Sequence, residues 1–297
     1  QLEADAAVST NHQCVRHAGM IAVLAADVDW TLHCRPMEPT VPTPRSRARI
    51  WGKRLGLGLL GFLLVSAMLG VVAGLVLDQP RPVGTPGPEA EALARRMEAA
   101  VRADRWAETG AIEWTFFVNH HLWDKERGFV EVRQRDLRVL LRTSDQTGVA
   151  FRGGEALHGE ELREALESAW GYFCNDSFWL NPLVKLFDPG TTRSIVQVDG
   201  RDALLVEYSS GGVTPGDAYL WLVDDDGTPN EWRMWVSVLP IGGVPTPWDG
   251  FVTLPTGARV ATEHGEGLLG FHLEDVRGAA TLTDLVGAED PFAALVR

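Results

Sequence analysis

Apolar and polar residues alternate along much of the chain after residue 110, and this period of two is typical of half-buried β-strands. The first alternating stretch is Ile112–Val118, whose even-numbered positions are all large and apolar. Leu137–Leu141 repeats the pattern, and Phe129–Arg133 supplies a third strand between them after a turn-like stretch. Later strands are predicted at Leu204–Tyr208, Ala218–Val223, Glu231–Val238, Gly250–Leu254, Arg259–Glu263 and Leu269–Val276, with a last short helix or strand at Leu282–Val286.

Two stretches change to the helical period of 3.6 residues. Glu89–Arg105 and Gly159–Cys174 each carry one apolar stripe, so each is predicted to be an amphipathic helix. The aromatic stretch Asn175–Asp188 follows the second helix. We expect Asp176 or Ser177 to cap a short helical turn there, because both residue types are preferred N-caps.

The strands between residues 218 and 238 are apolar on both faces. Leu220 and Leu222 fall on one face, and Tyr219 and Trp221 fall on the other. In an antiparallel sheet with one solvent-exposed face, apolar and polar residues alternate along each strand. Because these strands are apolar on both faces, the second face must be covered or must hold a ligand. The fold class predicted from these patterns is α+β, a curved antiparallel sheet in the form of a half-open barrel with helices covering its concave face.

An apolar run without any charge extends over Leu55–Leu77. At about 1.5 Å per residue in a helix, this run reaches across a hydrocarbon core of about 30 Å, so we predict a transmembrane helix. Basic residues precede the run and the acidic Asp78 follows it, which favours a cytoplasmic N-terminal flank and a domain on the outer side. The alternative is a cleaved secretory signal, whose apolar region is usually shorter, at about 7–15 residues.

These features divide the chain into segments. Residues 1–44 show no sustained periodicity and are expected to be disordered, and 1–36 is interpreted as an over-extended gene model or a nonfunctional leader because Met37 stands just ahead of the basic flank. The remaining segments are the basic juxtamembrane flank at 45–54, the transmembrane helix at 55–77, a Pro/Gly linker at 78–88 and a folded domain at 89–297.

The charge of the chain bears on its partners, and its cysteine content bears on how the domain is stabilised. The formal net charge is −13 at pH 7, and no basic stripe beyond the juxtamembrane flank offers cations to phosphates, which argues against a nucleic-acid partner. Of the 3 cysteines, only Cys174 lies beyond the predicted span. We therefore expect no disulfide within the folded domain, which must depend on its apolar core.

The order of helix, hairpins, helix, aromatic stretch and strand meander resembles the bacterial lipoprotein-localisation carriers of the LolA and LppX type. Three segments, His120–Gly128, Asn175–Asp188 and Ser209–Leu222, also resemble a conserved family of bacterial membrane-anchored proteins of unknown function. These resemblances imply a LolA-like domain in the periplasm, held by a single span in the bacterial inner membrane. Because an anchored chain cannot shuttle between membranes, they imply binding, sensing or handing on of a lipid or lipoprotein ligand.

His120, His121 and Asp124 form the most conspicuous polar group. Neighbouring residues on a strand point to opposite faces, so one of the two histidines at most joins Asp124 at a metal. A metal-assisted hydrolase that uses His121, Asp124 and Asp176 is an alternative function. Because the ligand spacing of zinc sites is missing, we expect no metal, no cofactor and no catalytic residue.

Aromatic residues are the other candidate feature, since the chain contains 11 Trp. Most aromatic residues at strand and helix spacing pack in a core. A cavity lined by some of them would suit an acyl chain, because each buried methylene contributes about 0.8 kcal/mol. The predicted ligand-binding residues are Trp114, Trp170, Phe173, Phe178, Trp179, Leu183, Trp221 and Trp235.

The function expected from the sequence is a membrane-anchored envelope domain that binds a lipid or lipoprotein acyl chain without catalysis. An envelope scaffold that presents its sheet edge to a protein partner is a further alternative.

Overall fold

The computed structural model of the protein describes residue 74 and residues 78–210, 216–237, 239, 241–265 and 270–296. The N-terminal segment, the basic flank and the predicted span, apart from Gly74, lie outside these residues. Within the part that is described, no helix combines the length and the apolar character needed to cross a membrane.

The described residues form one long α-helix and several shorter helices. The α-helices are α1 (Pro88–Ala100), α2 (Ala103–Glu108), α3 (Gly159–Leu180) and α4 (Leu282–Val286), with 3-10 helices at Pro182–Lys185 and Ala293–Leu295.

The strands follow one another mainly as hairpins. They are β1 (Ala111–Phe116), β2 (Asn119–Asp124), β3 (Phe129–Gln134), β4 (Leu137–Arg142), β5 (Gly148–Arg152), β6 (Glu155–Ala156), β7 (Thr191–Val198), β8 (Arg201–Tyr208), β9 (Ala218–Val223), β10 (Pro229–Trp235), β11 (Thr246–Asp249), β12 (Val252–Thr253), β13 (Arg259–Val260), β14 (Glu263–His264) and β15 (Phe271–Ala279).

Thirteen of these strands form one curved antiparallel sheet in the order β6-β5-β4-β3-β2-β1-β15-β14-β11-β10-β9-β8-β7, while β12 and β13 pair separately. Strand β15 joins the two halves because it pairs with β1 on one side and β14 on the other. Among the described residues the sheet does not close on itself, and β6 and β7 are its edges. The predicted α+β class and large antiparallel sheet are therefore confirmed.

One residue of the predicted linker, Thr85, pairs with edge strand β7. Thr85 exchanges two backbone hydrogen bonds with Ile195, at 2.8 and 2.9 Å, and Arg81 forms an ion pair with Glu207 at 3.2 Å. An uncovered strand edge invites pairing with other chains. The linker pairs with part of this edge and so protects it.

Two clusters of buried apolar side chains fill the face of the sheet that the longer helices cover. The first cluster lies under α3 and contains Ile112 and Trp114, and the second lies under α1 and contains Leu204 and Trp221. Burying one such side chain fully is worth about 1.5–3 kcal/mol. These two clusters therefore hold the helices on the sheet.

The opposite face is apolar as well, as the sequence predicted for the middle strands. Leu220 packs there in a third cluster, away from Trp221. In the other half of the sheet, Leu122 and Leu140 pack with Phe292 from the C-terminal segment. That segment therefore covers the second face over β2 and β4.

The first predicted helix is divided into two. Arg102 has a left-handed backbone conformation, with φ of 56°, and a helix does not continue through such a residue. The carbonyl of the buried Val101 accepts a hydrogen bond from the backbone of Arg259 at 3.0 Å instead of closing another helical turn.

The second predicted helix is longer than expected, because α3 continues to Leu180. The prediction that Asp176 or Ser177 caps a separate helical turn is wrong, since both lie inside α3. Asp176 continues the buried stripe of Ala169 and Phe173, and its carboxylate is paired across the core. The helix ends where Asn181, next to Pro182, leaves the helical conformation, with φ of −159° and ψ of 76°.

Candidate functional site

One side chain connects the two buried clusters of the covered face. Trp179, near the end of α3, packs against both clusters and remains partly exposed. Its ring centroid lies 4.5 Å from that of Trp232 and 4.5 Å from that of Phe271, edge to face in both cases. It also stacks on Phe116 at 6.4 Å. We call Phe116, Phe178, Trp179, His264 and Phe271 the aromatic seam.

His264, the last residue of β14, is the polar member of the seam. Its side chain is fully buried, and its ring centroid lies 3.9 Å from that of Trp248 and 4.9 Å from that of Phe271. Neither ring nitrogen has a hydrogen-bond partner among the described residues. Burial, with a smaller contribution from the nearby His272, lowers the pKa of His264 to about 3. At pH 7 the imidazole is therefore neutral and offers one donor and one acceptor.

Strand register explains why these rings meet. His264 pairs with Phe271 across β14 and β15 and with Trp248 across β11 and β14. Directly paired residues of an antiparallel sheet point to the same face, with Cβ atoms about 4.5–5.5 Å apart. Because α3 continues past the predicted end, it brings Phe178 and Trp179 over that same face.

The structure divides the eight predicted ligand-binding residues among three places. Trp114, Trp170 and Phe173 lie in the first cluster, Phe178, Leu183 and Trp221 lie in the second, and Trp179 contacts both. Trp235 lies on the opposite face with Leu220. It stands three positions after the inward-facing Trp232, and an odd offset along a strand reverses the face. Trp235 therefore lies apart from Trp179 and from both clusters of the covered face.

The other three seam residues, Phe116, His264 and Phe271, were not among the predicted ligand-binding residues. Phe116 carried a sequence signal, because it falls on the apolar face of the first predicted strand. His264 and Phe271 lie on opposite sides of the β14–β15 connection, and only their pairing reveals that they share a face.

A second polar group is buried beneath α3. Asp176 Oδ2 accepts hydrogen bonds from His121 Nε2 at 2.7 Å and from Asn119 Nδ2 at 2.9 Å. Gln134 Nε2 donates in turn to Asn119 Oδ1 at 2.9 Å, and His121 stacks on Trp114 at 4.6 Å. The side chain of His121 is 0% exposed and that of Asp176 is 2% exposed. This network ties α3 to β2 and β3, and its burial favours a structural role, with only His121 Nδ1 lacking a partner among the described buried atoms of these four side chains.

Asp124 does not join His121 and Asp176, although the sequence alternative of a hydrolase required all three. Asp124 lies three positions after His121 on β2 and so points to the opposite face. There it accepts a hydrogen bond from Arg127 Nε at 2.6 Å. Among the described residues, no three His, Cys, Asp or Glu side chains stand together in a way that would hold a metal ion.

An open cleft of about 590 Å³ lies away from the seam, near the end of β15. It is lined by residues 252–256, residues 276–280, Glu108, Asp284 and Leu285. None of the predicted ligand-binding residues lines this cleft. The predicted residues that do converge are those around Trp179.

No protein-family model matches the chain, and no curated protein shows significant sequence similarity to it. The geometry and chemistry of the site must therefore support any functional assignment, because a fold alone does not determine function.

Proposed function

We propose that this protein is a membrane-anchored domain of LolA-like architecture, facing the periplasm from the bacterial inner membrane, that binds a lipid or lipoprotein acyl chain without catalysis. The observation that carries the proposal is His264, a buried histidine whose two ring nitrogens have no partner among the described residues, in a partly exposed aromatic seam. The open curved sheet, with helices on one face, supports the architecture.

The chemistry of the seam matches a ligand with an apolar chain and a small polar head. Trp179, Phe178 and Phe271 are partly exposed, so they offer apolar surface to a chain whose methylenes each contribute about 0.8 kcal/mol when buried. A neutral imidazole hydrogen-bonds to the carbonyl or hydroxyl of an ester, an amide or a fatty acid. Ligand pockets typically combine mostly apolar walls with a few such polar groups.

The environment of His264 favours ligand binding over catalysis. A general base works best with a pKa near the working pH, whereas the pKa of His264 is about 3. Among the described residues, no carboxylate is hydrogen-bonded to either nitrogen of this ring. His264 therefore has neither the basicity nor the orienting partner that nucleophile activation requires.

Replacing Trp179 by Ala is expected to reduce the lipid that co-purifies with the full chain by about tenfold, because an aromatic side chain that contacts the ligand contributes more than the 1.4 kcal/mol that a tenfold change requires. The measurement is mass-spectrometric quantification of lipid extracted from protein purified in mild detergent. Trp235→Ala is the matched control, since it removes the same side chain from the opposite face. If both folded variants retain the wild-type amount of lipid, the seam is not the binding site.

A further inference from the structure

Three exposed apolar side chains lie at one end of the sheet. Phe117 and Val118 form the tip of the β1–β2 hairpin and are 68% and 61% exposed, and Leu239, which follows β10, is 46% exposed. The register places them at the same end, because the antiparallel pairings from β1 through β15, β14 and β11 to β10 bring the C-terminal ends of β1 and β10 to one side. We call Phe117, Val118 and Leu239 the rim.

The residues at the hairpin tip are unusual for a turn that is exposed to water. Two-residue hairpin turns prefer Asn, Asp or Gly, and Phe117 stands there with φ of 52°. Bulky residues rarely adopt this left-handed conformation, and such strain clusters at functional sites. Phe117 therefore presents a large apolar ring to solvent on a strained turn.

The chain enters the folded domain at this same end. Asp78 Oδ1 accepts a hydrogen bond from the backbone of Gly242 at 2.8 Å, and the Gln79 backbone donates to the Gly242 carbonyl at 2.9 Å. The Trp235 indole also donates to the Gln79 carbonyl at 2.7 Å. The run predicted to span the membrane ends at Leu77, one residue before Asp78. Since one residue covers at most about 3.6 Å, this entry point holds the rim close to the membrane surface.

We propose that the rim inserts into the outer leaflet of the membrane that anchors the protein. β1 and β10 are four strand positions apart in the sheet, about 19 Å at a spacing of about 4.8 Å per strand, so the two parts of the rim contact one lipid surface together. Apolar side chains of interfacial elements enter the boundary between headgroups and acyl chains by about 5–10 Å. The net charge of the chain is −13, so the contact of the rim with lipid depends on its apolar side chains rather than on attraction to anionic headgroups.

The rim also adjoins the aromatic seam. The ring of Phe117 lies 4.7 Å from that of Phe116 and 6.0 Å from that of Phe271. Apolar surface therefore continues from the exposed tip into the partly exposed site. This inference rests on the anchored topology of the proposed function, and it requires no bound ligand.

The test places an environment-sensitive nitrobenzoxadiazole label at Phe117→Cys in the full chain, with Cys14, Cys34 and Cys174 replaced. The protein is reconstituted into vesicles of phosphatidylethanolamine and phosphatidylglycerol, with and without doxyl-labelled phosphatidylcholine. We expect the quencher to lower emission about twofold or more, because the label lies within the interfacial layer. The matched control is Val286→Cys on α4, which packs beside the opposite end of β15 and is also partly exposed, and its emission stays unchanged.

Equal quenching of the two labels in protein that floats with the vesicles would overturn the rim contact. Failure of the full chain to float would overturn the anchored topology on which that contact rests. Lipid that co-purifies with the same proteins is quantified separately, before they are reconstituted into vesicles. If quenching is absent but lipid co-purifies, only the contact of the rim with the membrane is refuted. If quenching occurs but no lipid co-purifies, only the binding of a lipid ligand is refuted.

Discussion

Asp176→Ala lowers the free energy of unfolding by about 2–5 kcal/mol, because it removes a buried acceptor that two buried side-chain donors share. The variant leaves the buried Nε2–H of His121 without its acceptor and removes one of the bonds of Asn119. Unpaired buried donors each cost about 1–3 kcal/mol. The measurement is urea unfolding in detergent, followed by tryptophan fluorescence.

Two controls identify the cause of that loss. Asp176→Asn keeps the volume and one acceptor oxygen, so it costs less than Asp176→Ala. Asn175→Ala removes an exposed neighbour that donates to Asp176 Oδ1 at 2.8 Å, and it costs under about 1 kcal/mol. Wild-type stability in Asp176→Ala would contradict the structural role of this network.

The second large effect is acid destabilisation through His264. The pKa of His264 is about 3 in the folded protein and about 6.5 in an unfolded chain. Because the unfolded state binds the proton first, stability is intact above pH 6.5 and falls as the pH drops from 6.5 towards 3. Each pH unit in that window costs about 1.4 kcal/mol, so we expect a loss of about 2–3 kcal/mol between pH 7 and pH 4.5.

His264→Phe separates this contribution from that of other titrating groups. The variant keeps an aromatic ring against Trp248 and removes both ring nitrogens, so its stability declines less between pH 7 and pH 4.5, by about 2–3 kcal/mol. Buried carboxylates such as Asp176 and Glu131 are present in both proteins and cancel in the comparison. Parallel pH curves for the two proteins would show that His264 is not neutral and buried as described.

Much of the sheet was predictable because its signal is local. Alternation at Ile112–Phe116 and Leu137–Leu141 fixes which side chains face the core, and both stretches form strands with the expected inner face. The β9–β10 hairpin was equally predictable, since turn-forming residues separate two apolar runs. Val118 was predicted to share the face of Phe116, but the turn at Phe117 places it in solvent.

The site was less predictable because it depends on pairings that are distant in sequence. His264 meets Trp248 and Phe271 only because β14 lies between β11 and β15, and β14 consists of two residues, too few for a periodic signal. The separation of Asp124 from His121 followed from strand geometry, whereas the pairing of His121 with Asp176 required the packing of α3 against β2. Propensity for capping suggested that a new helical turn begins at Asp176 or Ser177, but burial of the Asp176 carboxylate against His121 accompanies a helix that continues through both residues.

The central proposal is that the aromatic seam holds an acyl chain. The most direct measurement is native mass spectrometry of the full chain, purified in mild detergent from a bacterial envelope fraction, with His264→Phe measured in parallel. The proposal predicts that the wild-type protein carries the extra mass of a single acyl-bearing lipid, and that this adduct is strongly reduced in the folded His264→Phe variant. A wild-type protein at its bare mass, or an adduct equally abundant in the variant, would contradict it.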